Sequence, residues 1–333
     1  MFSIENYKIA IGLCFLAMIC WGSWQNTRNV AGLSWRFELF YWDFVAGILL
    51  LSLLMAFTFG SFGNDGRSFI EDVQQANLKN IGSAVLGGAI WNIGTLLLTA
   101  GIAIAGMSVA FPIGGGIGWI LGIVILYIAN PQGNPYFLFG GSAIVVIAVL
   151  LSMWSYKQLA AQKRRPTFRG IFISLLAGIA IAFFYRFVDS SLARNFTDAY
   201  KGYLTPYTAV VFFSLGAFIS TFIYNPFFMR KPVEGNPVRF SDYLNGTIRQ
   251  HLMGVLGGAI WCLGMSASFM ANKAASPAIA YGLSNAAPVV AALWGILVWK
   301  EFKGAPKKTN RLLTFMFAAY LIGLVTIVYA RIA

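Results

Sequence analysis

Long uninterrupted runs of apolar residues recur along the whole chain, separated by short polar or charged segments. An α-helix rises about 1.5 Å per residue, so about twenty apolar residues cross the ~30 Å hydrocarbon core of a bilayer. A membrane β-barrel would instead show shorter segments of alternating polarity. The pattern therefore predicts ten transmembrane helices, at residues 8–25, 39–59, 81–100, 107–129, 136–155, 170–190, 205–226, 252–271, 277–299 and 312–331.

The composition supports an integral membrane protein. Hydrophobic residues make up 58% of the chain and charged residues 11%, and the mean hydropathy is +0.71, far from the values of a soluble domain. The first apolar run ends in WGSWQN rather than in a small-residue cleavage site, so we expect it to remain as the first helix. The three cysteines lie inside predicted spans and His251 has no carboxylate or cysteine near it in sequence, so neither a metal nor a cofactor is predicted.

The net charge of +13 is divided unequally between the two sides of the predicted bundle. Seven Lys and Arg residues fall on the side that holds both termini, and sixteen fall on the opposite side, which includes the basic connector. The positive-inside rule then predicts a cytoplasmic connector and two external termini, in a bacterial inner membrane. The basic charge is thereby explained by orientation and by contact with anionic lipid, without a nucleic acid partner.

The six-residue sequence LGGAIW occurs at 86–91 and again at 256–261, in the third and eighth predicted spans. These spans are five apart, so the two copies cross the bilayer in opposite directions. The register continues without a gap, with Gly94 matched by Gly264. We therefore predict an all-α membrane protein whose ten transmembrane helices form two inverted five-helix repeats, residues 1–155 and 170–333. The connector at 156–169 joins them within one domain, 1–333.

Inverted repeats favour a transporter, because two halves that exchange conformations open a shared cavity first to one side and then to the other. Such proteins bind a small-molecule substrate near the middle of the membrane, between the repeats. Phosphate-binding, nucleophile-elbow and zinc-protease motifs are absent from the sequence, so no catalytic residues are predicted. The predicted partners are a small molecule and the lipid bilayer.

The fourth span contains a proline followed by closely spaced glycines, namely Pro112, Gly114, Gly115, Gly118 and Gly122. Gly114, Gly118 and Gly122 recur every four residues and so lie on one helix face. One interpretation is tight packing against a neighbouring helix or against a second protomer in a homodimer. The other is an interrupted helix whose free carbonyl groups contact substrate near Pro112 and Gly115.

The ninth span carries Ser284 and Asn285 about 12 Å deep, followed by the helix-weakening Pro288. An amide both donates and accepts hydrogen bonds, so Asn285 either binds a polar neutral substrate or links two helices. Neutral polar and flat aromatic side chains elsewhere complete the predicted binding site. These are Trp91, Asn92, Thr95, Trp119, Trp261 and Tyr281.

Few charged residues lie inside the predicted spans, where a charge is costly. Asp43 lies only ~6 Å past the start of the second span, so it is either a partly hydrated structural residue or a proton site. Arg186 and Asp189 are three residues apart near the outer end of the sixth span, where we expect them to form an ion pair.

WGSW at the end of the first span, the repeated GGAIW and the LWGILVWKEF that ends the ninth span resemble the ten-helix drug/metabolite transporter superfamily. Within it, FYWDFVAG, FTFGSFG, AGMSV, LTPYTAVVFFS, KPVEGNP and SDYLNG are most similar to the ureide permease family. The resemblance implies proton-coupled import of allantoin, uracil, xanthine and related heterocycles. Glu38 and Asn285 fall where that family has an acidic and an amide residue. Asp43 and Glu38 are thus the two candidates for the coupling proton.

The same segments also resemble bacterial glucose and rhamnose uptake proteins of the superfamily, so monosaccharide import is the alternative function. A neutral cavity of amide and aromatic groups suits either class of substrate. An exporter of amphipathic drugs is less favoured, because such a protein would carry an acidic residue at the centre of a larger apolar cavity, and Asp43 is shallow.

Overall fold

The computed structural model describes residues 1–32, 34–105, 110, 112–159, 167–197, 200–233 and 235–333. Within these ranges nine helices are long and apolar enough to cross a membrane, and a shorter apolar helix spans Ile113–Ala129. The described residues form no β-strand beyond an isolated bridge between Leu192 and Leu204. The chain is therefore an all-α integral membrane protein.

The helices follow one another with short connections. The first half of the described chain comprises α1 (Tyr7–Ser23), α2 (Gln25–Ala31), α3 (Phe37–Phe57), α4 (Phe69–Gln75), α5 (Leu78–Ala105), α6 (Ile117–Ala129) and α7 (Pro135–Leu159). The second half comprises α8 (Phe168–Ser191), α9 (Pro206–Arg230), α10 (Phe240–Leu244), α11 (Ile248–Ala275), α12 (Pro277–Ser284), α13 (Pro288–Leu293) and α14 (Lys307–Tyr329). The short helices α4 and α10 lie in loops.

Nine of the ten predicted spans correspond in order to helices of spanning length, and the fourth corresponds to the shorter apolar helix at Ile113–Ala129. The first extends over α1 and α2, which meet at Trp24. The predicted fourth span, 107–129, is represented by α6 and by a π-helical turn at Pro112–Gly116 that precedes it. Residues 106–109 and 111, and the connector residues 160–166, lie outside the described residues.

The ninth span is interrupted, as its sequence suggested. Helix α12 ends at Ser284, a turn covers residues 285–287, and α13 begins at Pro288. Proline lacks a backbone N–H and is well tolerated in the first turn of a helix, so it starts a new helix here rather than distorting an old one. A second irregularity follows at the π-helical turn Trp294–Val298.

The two sequence halves do not pack as two separate bodies, because two helices are exchanged between them. Helix α5 packs most extensively on α8 and α9, whereas α11 packs most extensively on α1 and α3. Two mixed bundles result. Bundle A consists of α1, α2, α3, α11 and α12, bundle B consists of α5, α6, α8 and α9, and α7 pairs with α14. The two predicted repeats, 1–155 and 170–333, therefore do not coincide with bundles A and B, because α5 packs on second-half helices and α11 on first-half helices.

Glycine makes each exchange possible by admitting the backbone of a neighbouring helix. A Cβ atom at Gly88 on α5 would overlap the carbonyl oxygen of Phe213 on α9. An equivalent contact joins α11 to α3, where a Cβ at Gly258 would overlap the carbonyl oxygen of Phe44. Close backbone approach at small residues is how helices associate when lipid surrounds them, since lipid offers no hydrophobic driving force.

Counterpart helices begin at opposite ends of the molecule. Asn80 at the start of α5 donates a hydrogen bond of 2.9 Å to the carbonyl of Gly202, which precedes α9. His251 at the start of α11 instead contacts Asp43, near the start of α3. Helices α3 and α9 are antiparallel, because Asn225 near the end of α9 bonds the carbonyl of Glu38 at 2.8 Å.

Replacement of Gly88 by alanine should destabilise the protein, because the added methyl group displaces the α9 backbone. We expect the apparent melting temperature of the purified protein to fall by roughly 5 °C, in line with the cost of overpacking a core. Gly82→Ala is the matched control on the same helix, since a Cβ there meets no atom within 4 Å. Equal melting temperatures for the two variants would contradict the proposed close approach.

Candidate functional site

An aromatic cluster occupies the middle of the molecule where bundles A and B meet. Trp91 and Trp261 face one another with their ring centroids 4.2 Å apart, and both are buried. Each is the fourteenth residue of a 28-residue helix, α5 and α11 respectively, so both lie at half the depth of the spans. Phe213 stacks on Trp261 at 5.7 Å and Trp21 stacks on it at 5.8 Å.

Helices α1 and α3 of bundle A hold the tryptophan pair in place. Trp21 Nε1 donates a hydrogen bond of 3.1 Å to the backbone carbonyl of Trp261, which fixes α1 against α11. Phe44 lies 6.3 Å from Trp91 and thereby continues the cluster into α3. Flat π-surfaces of this kind stack on other planar rings.

Asn92, the neighbour of Trp91, is occupied by bonds to protein. Its Oδ1 accepts a hydrogen bond of 2.7 Å from the Tyr41 hydroxyl, and its Nδ2 lies within 3.0 Å of acceptors on Ala217, Ser220 and Thr221. The side chain is fully buried and joins α3, α5 and α9. The predicted substrate residue therefore lies in an interhelical network.

Trp119 and Tyr281 connect α6 to α12 by two reciprocal hydrogen bonds. Trp119 Nε1 donates to the carbonyl of Gly282 at 2.9 Å, and the Tyr281 hydroxyl donates to the carbonyl of Gly118 at 3.1 Å. Both side chains are buried, so their polar atoms bind helix backbone in this conformation. Thr95, one turn along α5 from Trp91, is only partly buried.

The glycines of the fourth span pack against helices of the same chain. Gly114 lies against the Ser174 carbonyl and Gly118 against the Gly178 carbonyl, both on α8, while Gly122 accommodates the ring of Tyr281. The first interpretation of this pattern, packing against a neighbouring helix, thus accounts for these three residues. Pro112 and Gly115 belong to the π-helical turn that precedes α6.

Asn285 lies in the turn that interrupts the ninth span. Its Nδ2 donates a hydrogen bond of 3.1 Å to the Tyr281 carbonyl of its own helix, and its side chain is partly exposed. No interhelical bond of the described residues uses this amide, in contrast to Asn92. Ser284 beside it is fully buried in the last turn of α12. Asn285 is therefore the predicted amide that keeps bonding capacity for a ligand.

Asp43 forms a polar cluster with two residues of the second half. Its Oδ1 accepts a hydrogen bond of 2.7 Å from the Tyr243 hydroxyl, and its Oδ2 lies 2.9 Å from His251 Nδ1. The Asp43 side chain is 7% exposed and the His251 side chain 28% exposed, so the imidazole bridges a buried carboxylate and the surface. Burial, together with the bond to Asp43, raises the pKa of Tyr243 above its ordinary range and keeps this hydroxyl a donor.

The sequence did not predict this cluster, because its members are 208 residues apart along the chain. The sequence nevertheless contained a signal from which the contact between Asp43 and His251 could have been predicted. Asp43 and the single histidine both lie near the ends of their spans on the connector side, and the exchange of α11 into bundle A brings those ends together. Glu38, the other acidic candidate, forms an ion pair of 2.7 Å with Arg36 instead.

Comparison with known proteins identifies the class to which this chain belongs. Residues 40–167 and 157–330 match the family model of ureide permeases. Ureide permease 1 of Arabidopsis thaliana is 25% identical over 97% of both chains, and ureide permease 4 of the same plant is 24% identical over 96% of both. Probable ureide permease A3 of Vigna unguiculata is 24% identical over 92% of this chain and 99% of its own.

A crystal structure of another protein shares the fold, with a TM-score of 0.61 at 12% identity over 97% of this chain and 98% of that chain. The family match and the named permeases indicate a membrane transporter rather than an enzyme. The chain belongs to the ureide permease family, as the motifs in its sequence indicated.

The two asparagines should respond differently to removal of the amide. Asn92→Ala leaves several buried partners unsatisfied, so we expect it to lower the free energy of unfolding by about 1–3 kcal/mol. Asn285→Ala breaks one bond within its own helix and should change stability by less than about 0.5 kcal/mol. Thermal or chemical unfolding of the purified proteins measures both values, and the reverse order would contradict the assigned roles.

Proposed function

We propose that this protein is a secondary active transporter that imports small neutral ureides or nucleobases together with protons by alternating access. The observation that carries the proposal is the Trp91–Trp261 contact at the midpoint of the two exchanged helices. A contact at this place closes the centre of the molecule, and separation of the two rings, which are tilted by 40° to one another, creates a binding site lined by two aromatic faces. A planar heterocycle fills such a site better than a non-planar solute does.

The named relatives support a ureide as substrate, since each is described as a ureide permease. Ureides and nucleobases combine a flat ring with adjacent C=O and N–H groups. Trp91 and Trp261 supply surfaces on which such a ring stacks, and the partly exposed Asn285 amide supplies one donor and one acceptor for its edge. Substrate stacking and amide recognition are thereby assigned to separate residues.

Alternating access is supported by the paired contacts of the two bundles. The contact of Gly88 on α5 with Phe213 on α9 is equivalent to the contact of Gly258 on α11 with Phe44 on α3. Such equivalent contacts are expected for two inverted five-helix repeats. Bundle A and bundle B then rock as rigid bodies about the aromatic centre. Separation of the bundles on one side requires their closure on the other.

Proton coupling is assigned to Asp43 with His251. A proton that enters from solvent reaches the partly exposed imidazole first and then neutralises the buried pair, which lowers the cost of moving bundle A relative to its surroundings. Tyr243 holds the second carboxylate oxygen throughout the cycle. The charge distribution supports a cytoplasmic position for this end of the molecule, with both termini outside.

Uptake into proteoliposomes under an imposed pH gradient tests the function. We expect accumulation of labelled allantoin or uracil that collapses when a protonophore removes the gradient. Glucose and rhamnose serve as the competing substrates, and accumulation of either sugar alone would replace the ureide assignment with the monosaccharide alternative.

Asn285→Ala should raise the KM of the transported heterocycle about fivefold through loss of its hydrogen bonds, and an unchanged KM would remove this residue from the site.

Asp43→Asn should uncouple transport from the proton gradient, because the carboxylate that accepts the proton is absent. We expect loss of gradient-driven accumulation while exchange of labelled for unlabelled substrate continues. Glu38→Gln is the matched control and should retain full coupling, since Glu38 is already neutralised by Arg36. Full coupling in Asp43→Asn, with its loss in Glu38→Gln, would transfer the role to Glu38.

A further inference from the structure

A polar cavity of about 60 Å³ lies at the end of the molecule opposite the Asp43 cluster, close to both chain termini. It forms where α8 and α11 end and α12 begins, and its lining includes Asp189, Arg194, Asn272 and Lys273. Asn272 follows Trp261 by eleven residues on α11, which corresponds to ~16 Å of helical rise. The cavity is therefore separate from the aromatic centre.

The base of the cavity carries a buried carboxylate with an unused oxygen. The Asp189 side chain is 3% exposed, and its Oδ1 accepts a hydrogen bond of 3.3 Å from Asn272 Nδ2. Its Oδ2 forms the expected ion pair with Arg186, whose Nη1 lies 4.0 Å away, but it is buried and accepts no hydrogen bond within the described part of the chain. A buried carboxylate oxygen without a donor is costly, so the site is suited to a ligand that brings an N–H group.

The orientation of Asn272 is fixed by its neighbours. The Tyr185 hydroxyl donates to Asn272 Oδ1 at 2.8 Å and lies 3.0 Å from Ser268 Oγ. Asn272 therefore presents its Nδ2 to Asp189 and holds the carboxylate in place. This wall is preorganised, which reduces the entropy that a ligand loses on binding.

The charges around Asp189 select the class of ligand. Arg194 and Lys273 line the cavity together with Asp189, the one carboxylate among its described lining residues; Arg186 lies beside Asp189 outside the lining, and Lys273 is itself paired with Glu5 at 2.5 Å. A metal cation would be repelled by this excess of positive charge. A neutral group that combines an N–H donor with a C=O acceptor suits both kinds of side chain. Its N–H donates a hydrogen bond to Asp189, and its oxygen accepts hydrogen bonds from the cationic side chains.

The size of the cavity agrees with a small planar group. A water molecule needs about 10–15 Å³ of such space, so the cavity holds about four to six non-hydrogen atoms. The N–C(=O)–N unit of a urea has four non-hydrogen atoms. We propose that this cavity is a ureido subsite, in which Asp189 and the rim cations bind the urea group of a substrate before or after it reaches the aromatic centre. This inference rests on the proposed ureide function for the identity of the complete substrate.

Protection of an added cysteine tests the subsite directly. Gln132 lines the cavity, and the three native cysteines are buried, so Gln132→Cys provides the accessible thiol. We expect N-methylurea to slow the reaction of this thiol with a methanethiosulfonate reagent in the full-length protein in lipid nanodiscs. Adding Asp189→Asn should raise the N-methylurea concentration for half-protection about tenfold. Asp65→Asn, at the same end of the molecule but outside the cavity, should leave it unchanged.

Uptake kinetics separate this inference from the proposed function. Allantoin carries an acyclic ureido tail on a hydantoin ring, whereas hydantoin has its N–C(=O)–N unit only within the ring, which is too large for a cavity of about 60 Å³. Asp189→Asn should raise the KM for allantoin about tenfold and change that for hydantoin less than twofold. Equal losses for both compounds, or uptake without protection by N-methylurea, would overturn the subsite and leave the transporter assignment intact. Protection without uptake of any heterocycle would support the subsite and overturn the proposed function.

Discussion

The architecture depends on two points at which the backbone of one helix lies directly against a glycine of another. Gly88 and Gly258 carry no side chain that would separate α5 from α9 or α11 from α3. Each contact removes one helix from its own sequence half and inserts it into the other half. Since lipid does not drive helices together, such close packing must supply the association energy itself. The mixed bundles follow from this constraint.

The exchange explains the location of the aromatic centre and of two polar clusters. It brings the midpoints of α5 and α11 together, so that Trp91 and Trp261 meet at the junction of the bundles. It also carries the two ends of α11 to opposite sides of the molecule. One end presents His251 to Asp43, and the other presents Asn272 to Asp189. A single helix thus connects the aromatic centre with both polar clusters, and its movement would affect all three together.

Much of this fold is predictable from the sequence because apolar length and glycine repetition are local signals. The apolar spans and the weakening of the ninth span near Pro288 follow from such patterns, and so does the choice of Trp91 and Trp261 as candidates for one site. The exchange of α5 and α11 is not local, since it depends on which glycine faces which carbonyl. For the same reason Asn92 resembled a ligand-binding residue in the sequence but lies in a buried network, and the contact between Asp43 and His251 was missed.

Distances between spin labels on the two bundles would test the central claim that bundle A and bundle B are rigid bodies that rock. One pair, Phe168→Cys with Ile248→Cys, reports on the connector side, and the other, Lys8→Cys with Leu78→Cys, reports on the side of the termini; all four native residues are exposed. The account predicts that substrate and protons lengthen one distance while they shorten the other. Two distances that stay constant, or that change in the same direction, would contradict it.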